Sequence, residues 1–148
     1  MIQQFYPQVP HDYRYELNKD FNFSAAHFIP HDEAGQCKNV HGHTYFVNVT
    51  VAGDTLNDSG FLVNFQLIKK LVHGRYDHTV LNDFTEDFND QQSEHFPTTE
   101  VVARTIWENI QNYLDQLSNK PKCIQVVVRE TPTSYVVYRP KKGDFNEQ

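Results

Sequence analysis

Only two cysteines, Cys37 and Cys123, occur in 148 residues. They stand in unlike contexts, so a disulfide framework is not expected. No Cys-x-x-Cys pair is present, which removes the commonest short ligand arrangement of a structural zinc site. No apolar run is long enough to span a bilayer. Met1 to Pro7 has neither the charged start nor the apolar stretch of a secretory signal. There is no lysine- or arginine-rich block, and the net charge is −6. Binding nucleic acid through its phosphates needs a basic face. Nucleic acid and membrane are therefore excluded as expected partners, and the cytoplasm is the expected compartment. An anionic small molecule is not excluded, because a local basic pocket can sit in an acidic protein.

What is there suffices for one folded domain: 39% hydrophobic and 14% aromatic residues. Residues 1–13 carry two prolines and little periodicity and read as an N-terminal arm. A first strand is expected from about Arg14 to Ile29, and a second from His43 to about Ala52, with turn chemistry at Pro30 to Gly35 between them. Phe65, Ile68, Leu71 and Val72 recur at helical spacing after Asn64 as N-cap, with Gly74 as the stop. Asp77 to Asn82 reads as a loop, as does the acidic stretch Thr85 to Glu94. Pro97-Thr98-Thr99-Glu100 opens a second helix, whose stripe is Val102, Ile106, Ile110, Tyr113 and Leu117, halted at Asn119-Lys120-Pro121. Strands follow at Cys123 to Glu130 and Tyr135 to Tyr138, and residues 141–148 form a polar C-terminal tail. The order ββααββ predicts an α+β domain over residues 14–140. In it, an antiparallel four-stranded sheet carries two helices between its strand pairs. Four strands leave open edges, so closure through other subunits is expected.

The chemistry concentrates at Cys37-Lys38-Asn39-Val40-His41-Gly42-His43. Residues i and i+2 of a strand face the same way, so His41 and His43 can reach one point. His27 ends the alternating run Phe21, Phe23, Ala25, His27. If the two strands pair, it becomes the third ligand. Three imidazoles suit zinc and leave a position open, the layout of a catalytic site. Gly42 leaves room on the opposite face for another backbone. Two other readings compete: unrelated polar histidines on a strand edge, or a closed structural site with Cys37 as fourth ligand.

Cys37 beside a cation would be a thiolate able to act as base or nucleophile; the alternative is an inert, partly buried thiol. Cys123 begins a core-like strand and is read as inert. Asp77-His78 is an acid–imidazole pair that could fix a tautomer, although spacing alone favours two solvated loop residues. Glu130 shares a strand face with Ile124, Val126 and Val128. A carboxylate ending an apolar face must be paired, protonated or bound to a ligand, unless it emerges into solvent. A buried one can accept two parallel N–H bonds from a heterocycle edge. His11, His31, His73 and His95 receive no role.

In order, Phe23-Ser24-Ala25-Ala26-His27, Cys37-x3-His41-Gly42-His43, Asp77-His78-Thr79-x-Leu81-Asn82, Pro97-Thr98-Thr99-Glu100 and Glu130-Thr131 resemble the successive motifs of the 6-pyruvoyltetrahydropterin synthase superfamily. The resemblance covers about residues 14–140. The three-residue spacer between Cys37 and His41 resembles the 6-carboxytetrahydropterin synthase branch. The resemblance implies a tunnelling fold closed into an oligomeric barrel, a homohexamer with active sites at subunit interfaces. It implies a zinc-dependent lyase that turns 7,8-dihydroneopterin triphosphate into 6-carboxy-5,6,7,8-tetrahydropterin, acetaldehyde and triphosphate, in queuosine biosynthesis. It further implies that His27, His41 and His43 bind Zn2+, that Cys37, Asp77 and His78 transfer protons, and that Glu130 anchors the pterin with Thr98 and Thr99 beside it. Asn64 departs from the aspartate that relatives often carry there. Pyruvoyl-forming activity, or a zinc-stabilised pterin-binding module without turnover, are the alternatives. Lys38, Arg104 and Arg129 are candidates for the triphosphate.

Overall fold

The alternation of Phe21, Phe23, Ala25 and His27 is realised as one long strand, β1 (Tyr15–His27), whose apolar file is buried. A computed structural model of the chain describes residues 6–145. Parts of the expected arm and tail, residues 1–5 and 146–148, lie outside the described residues. β2 (His41–Gly53) pairs antiparallel with β1 along its whole length, from Tyr15 opposite Gly53 to His27 opposite His41. The hydrophobic file fixes this register, because a one-residue slip would turn Val47, Val49 and Val51 out of the core. β2 starts two residues earlier than its apolar run suggested, since pairing with β1 carries His41 and Gly42 into the ladder.

Two helices cover one face of the sheet. α1 (Phe65–Tyr76) is capped by the Asn64 side chain, which accepts from the Gln66 N–H. It does not stop at Gly74. Tyr76 is buried, packs beside Phe23 at 5.8 Å between ring centroids, and donates to Asp87 at 2.6 Å. These tertiary contacts carry the helix through a glycine whose cost is about 1 kcal/mol. α2 (Thr99–Leu114) is capped by the Thr98 hydroxyl, which accepts from the Val101 N–H. It ends before Leu117, which packs against the core from the following turn.

Between the helices, Thr79–Val80 forms a short strand, β3, parallel to Ala25–Ala26 of β1. The sequence reads this segment as loop. Two residues carry no detectable period, and pairing to β1 makes them strand. β4 (Lys122–Thr131) pairs with β2, and β5 (Ser134–Tyr138) with β4, both antiparallel. The sheet thus has five strands, in the order β3-β1-β2-β4-β5, rather than the expected four. A register shift opposite Thr50 and Val51 changes which residue of β4 faces inward: Cys123, not Ile124, joins the core beside Val126 and Val128. Burial pushes the Cys123 thiol up to about 12, consistent with an inert side chain.

The face away from the helices is polar. Asn48 donates to Asp20 at 2.9 Å and Thr50 to Asn18 at 2.7 Å. Gln125 donates to the Pro7 carbonyl and accepts from Arg139, both at 2.9 Å. The N-terminal segment around Pro7 therefore lies against this face.

Candidate active site

Three core-facing files of the sheet end at the same level, and each ends in a metal-binding type of side chain. On β1 the file runs through Phe23 and Ala25 to His27; on β2 it runs back through Tyr45 to His43 and His41. On β4, Val128 lies opposite Val47 and Arg129 opposite Phe46, so one further step brings Glu130 level with Tyr45. The imidazoles of His27, His41 and His43 form a compact triangle with centroids 4.5, 4.8 and 5.1 Å apart. Their ligand atoms and a Glu130 oxygen all lie within 4.8 Å of one another.

The hydrogen-bonding pattern tests whether this group suits a cation. His27 Nδ1 donates to the Pro97 carbonyl and His41 Nδ1 to the Asn39 carbonyl, both at 2.7 Å. A carbonyl only accepts, so each Nδ1 carries the proton and each Nε2 keeps a lone pair. The Nε2 atoms of His27, His41 and His43 are all buried and have no hydrogen-bond partner. Burial also lowers the pKa of His43, which favours the neutral, ligating form. Three unpartnered Nε2 atoms close together, two of them in tautomers fixed by backbone carbonyls, fit a metal ion.

Glu130 Oε1 lies 2.7 Å from His43 Nε2 and 3.5 Å from His27 Nε2. Neither approach is an aligned hydrogen bond, since both imidazole nitrogens remain without a partner. The other oxygen, Oε2, accepts from the Thr99 hydroxyl. The His27 imidazole, followed by the Thr99 hydroxyl and His43, outweighs burial and holds the Glu130 carboxyl at about 2. It is a carboxylate, not a neutral acid emerging into solvent. The two threonines divide: Thr98 spends its hydroxyl on the α2 cap, while Thr99 touches Glu130.

Cys37 sits on the 3-10 turn Asp32–Lys38 between β1 and β2 and is exposed. It does not belong to the group of side chains that could hold a metal. Asp77 is the residue after α1. Its Oδ1 accepts from the Ser24 N–H at 2.8 Å, and its Oδ2 lies 3.4 Å from His78 Nε2. His78 adopts a positive φ of 60°, and its N–H donates to the Ser24 carbonyl at 2.6 Å. Its side chain is 85% exposed. Asp77 is therefore not a freely solvated loop acid. Asn82 fastens the same segment to the end of β1 by donating to the Phe28 carbonyl and accepting from its N–H, both at 3.0 Å.

Two clefts flank the histidines. One, of about 450 Å3, is lined by Gly42, His43, Thr44, His78 and Thr79 among others. The other, of about 600 Å3, is lined by Tyr6, Thr44, Phe46, Arg129, Glu130 and Pro132 among others, a size suited to a small molecule. Arg129, one of three basic candidates, lines this second cleft, whereas Lys38 pairs with Asp32 at 2.7 Å and Arg104 donates to the Glu94 carbonyl. The close backbone approach expected at Gly42 is not found among the described residues. A Cβ there would meet only the Ala25 carbonyl oxygen at 3.8 Å, an ordinary contact. His73, given no role from sequence, faces Asp77. Its i, i+4 spacing from Asp77 at the end of a helix was the available signal.

A model of the 6-pyruvoyl tetrahydropterin synthase family matches residues 16–141. The chain is 66% identical over 146 residues to 6-carboxy-5,6,7,8-tetrahydropterin synthase of Bacillus subtilis, covering 99% of both chains. It is 34% identical to 6-pyruvoyl tetrahydrobiopterin synthase of Drosophila melanogaster, covering 88% of this chain and 84% of that protein. The solved structure of Caenorhabditis elegans 6-pyruvoyl tetrahydropterin synthase superposes with a TM-score of 0.64 at 24% identity, covering 86% of this chain and 96% of that one. This last similarity speaks for the fold.

Proposed function

The chain belongs to the 6-pyruvoyl tetrahydropterin synthase family, and on that premise we propose that it is a zinc-dependent lyase of the carboxy-forming kind. Its substrate is 7,8-dihydroneopterin triphosphate. With one water consumed, its products are 6-carboxy-5,6,7,8-tetrahydropterin, acetaldehyde and triphosphate, and the product feeds queuosine biosynthesis. The observation that carries this reading is the convergence of three orphaned histidine Nε2 atoms beside the Glu130 side chain. The 66% identical Bacillus subtilis protein favours the carboxy-forming over the pyruvoyl-forming reaction.

His27, His41 and His43 hold the ion through Nε2. When bound, zinc supplies a Lewis acid for the side-chain oxygens of the substrate. The Glu130 carboxylate accepts N–H bonds from the pterin edge, with Thr99 fixing its second oxygen. Phe46, 48% exposed in the same cleft, offers a flat apolar face for the heterocycle. Cys37 removes a proton from the substrate side chain, and His78, oriented by Asp77, moves one on the other face.

Cys37 and His78 are both exposed in the single chain, and among the described residues β5 and most of β1 are open edges of the sheet. Both features support a homohexamer in which substrate sits between subunits and the edges are paired. Two free thiols, one of them exposed, suit the reducing cytoplasm.

Incubation of the zinc-loaded protein with 7,8-dihydroneopterin triphosphate, followed by mass spectrometry, tests the reading. Acetaldehyde and the carboxy product are expected. A pyruvoyl product would move the chain to the other reaction of the family. Tight pterin binding without turnover would make it a binding module.

A further inference from the structure

We infer that His73 is a positioning residue, bracing the Asp77 carboxylate so that its outer oxygen faces His78. The inference rests on the proton-transfer role proposed above for Asp77 and His78.

Asp77 and His73 are tied by backbone and side chain. The Asp77 N–H donates to the His73 carbonyl at 3.0 Å, closing α1. The i, i+4 spacing then sets their side chains on one face. His73 Nδ1 donates to the Asn22 carbonyl of β1 at 2.6 Å, and its Nε2 lies 3.3 Å from Asp77 Oδ2. Asp77 Oδ1 accepts from the Ser24 N–H of the same strand at 2.8 Å. The result is a ring of contacts that leaves β1 at Asn22, passes through His73 and Asp77, and returns to β1 at Ser24. Oδ1 is held by a hydrogen bond, and Oδ2 sits at ion-pair distance from a ring whose Nδ1 proton already goes to Asn22, so His73 braces Oδ2 as an imidazolium, with both ring nitrogens carrying protons.

The brace matters because His78 has little else to orient it. Its ring is exposed, and Asp77 Oδ2, at 3.4 Å, is its charge partner. With the Ser24 bond alone, Asp77 would keep Oδ1 in place, but Oδ2 could swing about the side-chain torsion. The cause of the lowered Asp77 pKa is consistent with this picture: the Ser24 N–H comes first, and the charges of His73 and His78 add to it. His73 does not line the cleft that holds His43 and His78. It opens into a separate one, with Lys19, Lys69 and Lys70 and no carboxylate among its lining residues. It therefore acts on the chemistry through Asp77 and not by touching substrate.

The test compares His73→Phe with His73→Gln in the zinc-loaded protein acting on 7,8-dihydroneopterin triphosphate. Phenylalanine fills the ring's space without a donor, while glutamine keeps an N–H for Asp77 at lower bulk. The expected result is a fall in kcat of at least ~10-fold for His73→Phe, below the ~100-fold that a misplacement of about 1 Å can cost. KM and zinc content should be unchanged, and His73→Gln should recover most of the loss. On an Asp77→Asn background, His73→Phe should add nothing, because the two residues act as one unit. A role in packing alone predicts the reverse order, with phenylalanine better than glutamine, and that order overturns the inference. So does full kcat in His73→Phe while Asp77→Asn and His78→Ala are inactive. If Asp77→Asn and His78→Ala both keep turnover, the proton-transfer reading has failed and the role of His73 falls with it. Should His73→Phe not fold, His73→Ala assayed with and without added imidazole replaces it. Recovery of kcat by imidazole is then expected, and its absence refutes the brace.

Discussion

Replacing Cys37 by alanine separates the two ways a thiol could serve this site. Cys37 is exposed on the turn between β1 and β2 and stands outside the group of side chains that could hold a metal. Its side chain contributes nothing to the hydrophobic core. A change at such a position costs within about 0.5 kcal/mol. For a domain of this size, 1 kcal/mol moves Tm by about 2–4 °C, so the variant should melt within about 2 °C of the parent. The three histidine Nε2 atoms are unaffected, so zinc content should stay near one per chain. Glu130 and Thr99 are unaffected too, so pterin binding should persist. Only the proton transfer should fail, with kcat lower by at least ~100-fold, the low end for loss of a general base. Metal analysis, a thermal melt and single-turnover kinetics on this one variant decide the matter. A joint loss of zinc and Tm would refute the reasoning and make the thiol a ligand, since metal binding and folding are coupled. Modestly weaker zinc with lost turnover would mean that the thiolate binds the resting metal and is displaced by substrate. Full turnover would remove Cys37 from the chemistry.

Glu130→Gln should raise KM by about 10- to 150-fold, the equivalent of about 1.5–3 kcal/mol for charge-assisted bonds, while zinc stays bound; loss of zinc on metal analysis would instead make the carboxylate a ligand. His41→Ala should lose the metal, because two histidines leave too few fixed donors, and full zinc content in the purified variant would count against His41. Thr98→Ala should lower stability by about 1 kcal/mol through loss of the α2 cap and leave KM unchanged, whereas Thr99→Val should raise KM; equal effects of the two on KM would refute the division of labour. A thiol reagent should label one cysteine per folded chain, Cys37, and reach Cys123 only on unfolding; two rapid equivalents in the native protein would show that the β4 core opens.

The convergence of the three histidines and the helix caps were legible in the chain because they depend on neighbours. His41 and His43 share a face by strand alternation, and β1 and β2 form a single uninterrupted antiparallel ladder that brings His27 opposite His41. Asn64 and Thr98 cap as their residue types require. The inert placement of Cys123 was legible too, although the bulge beside it was not. What tertiary structure decided lies across long separations. Glu130 is 87 residues from His43, and it meets the imidazole only because the β2–β4 register sets it level with Tyr45. Gly74 stays inside α1 because Tyr76 has a buried site to fill. Thr79–Val80 becomes strand because Ala25–Ala26 offers an edge, and Asp77 is fixed by an amide of Ser24, 53 residues earlier. Local periodicity is written in the order of side chains, whereas a long-range register is chosen by which pairing buries the apolar files together and leaves their polar ends converging on one point.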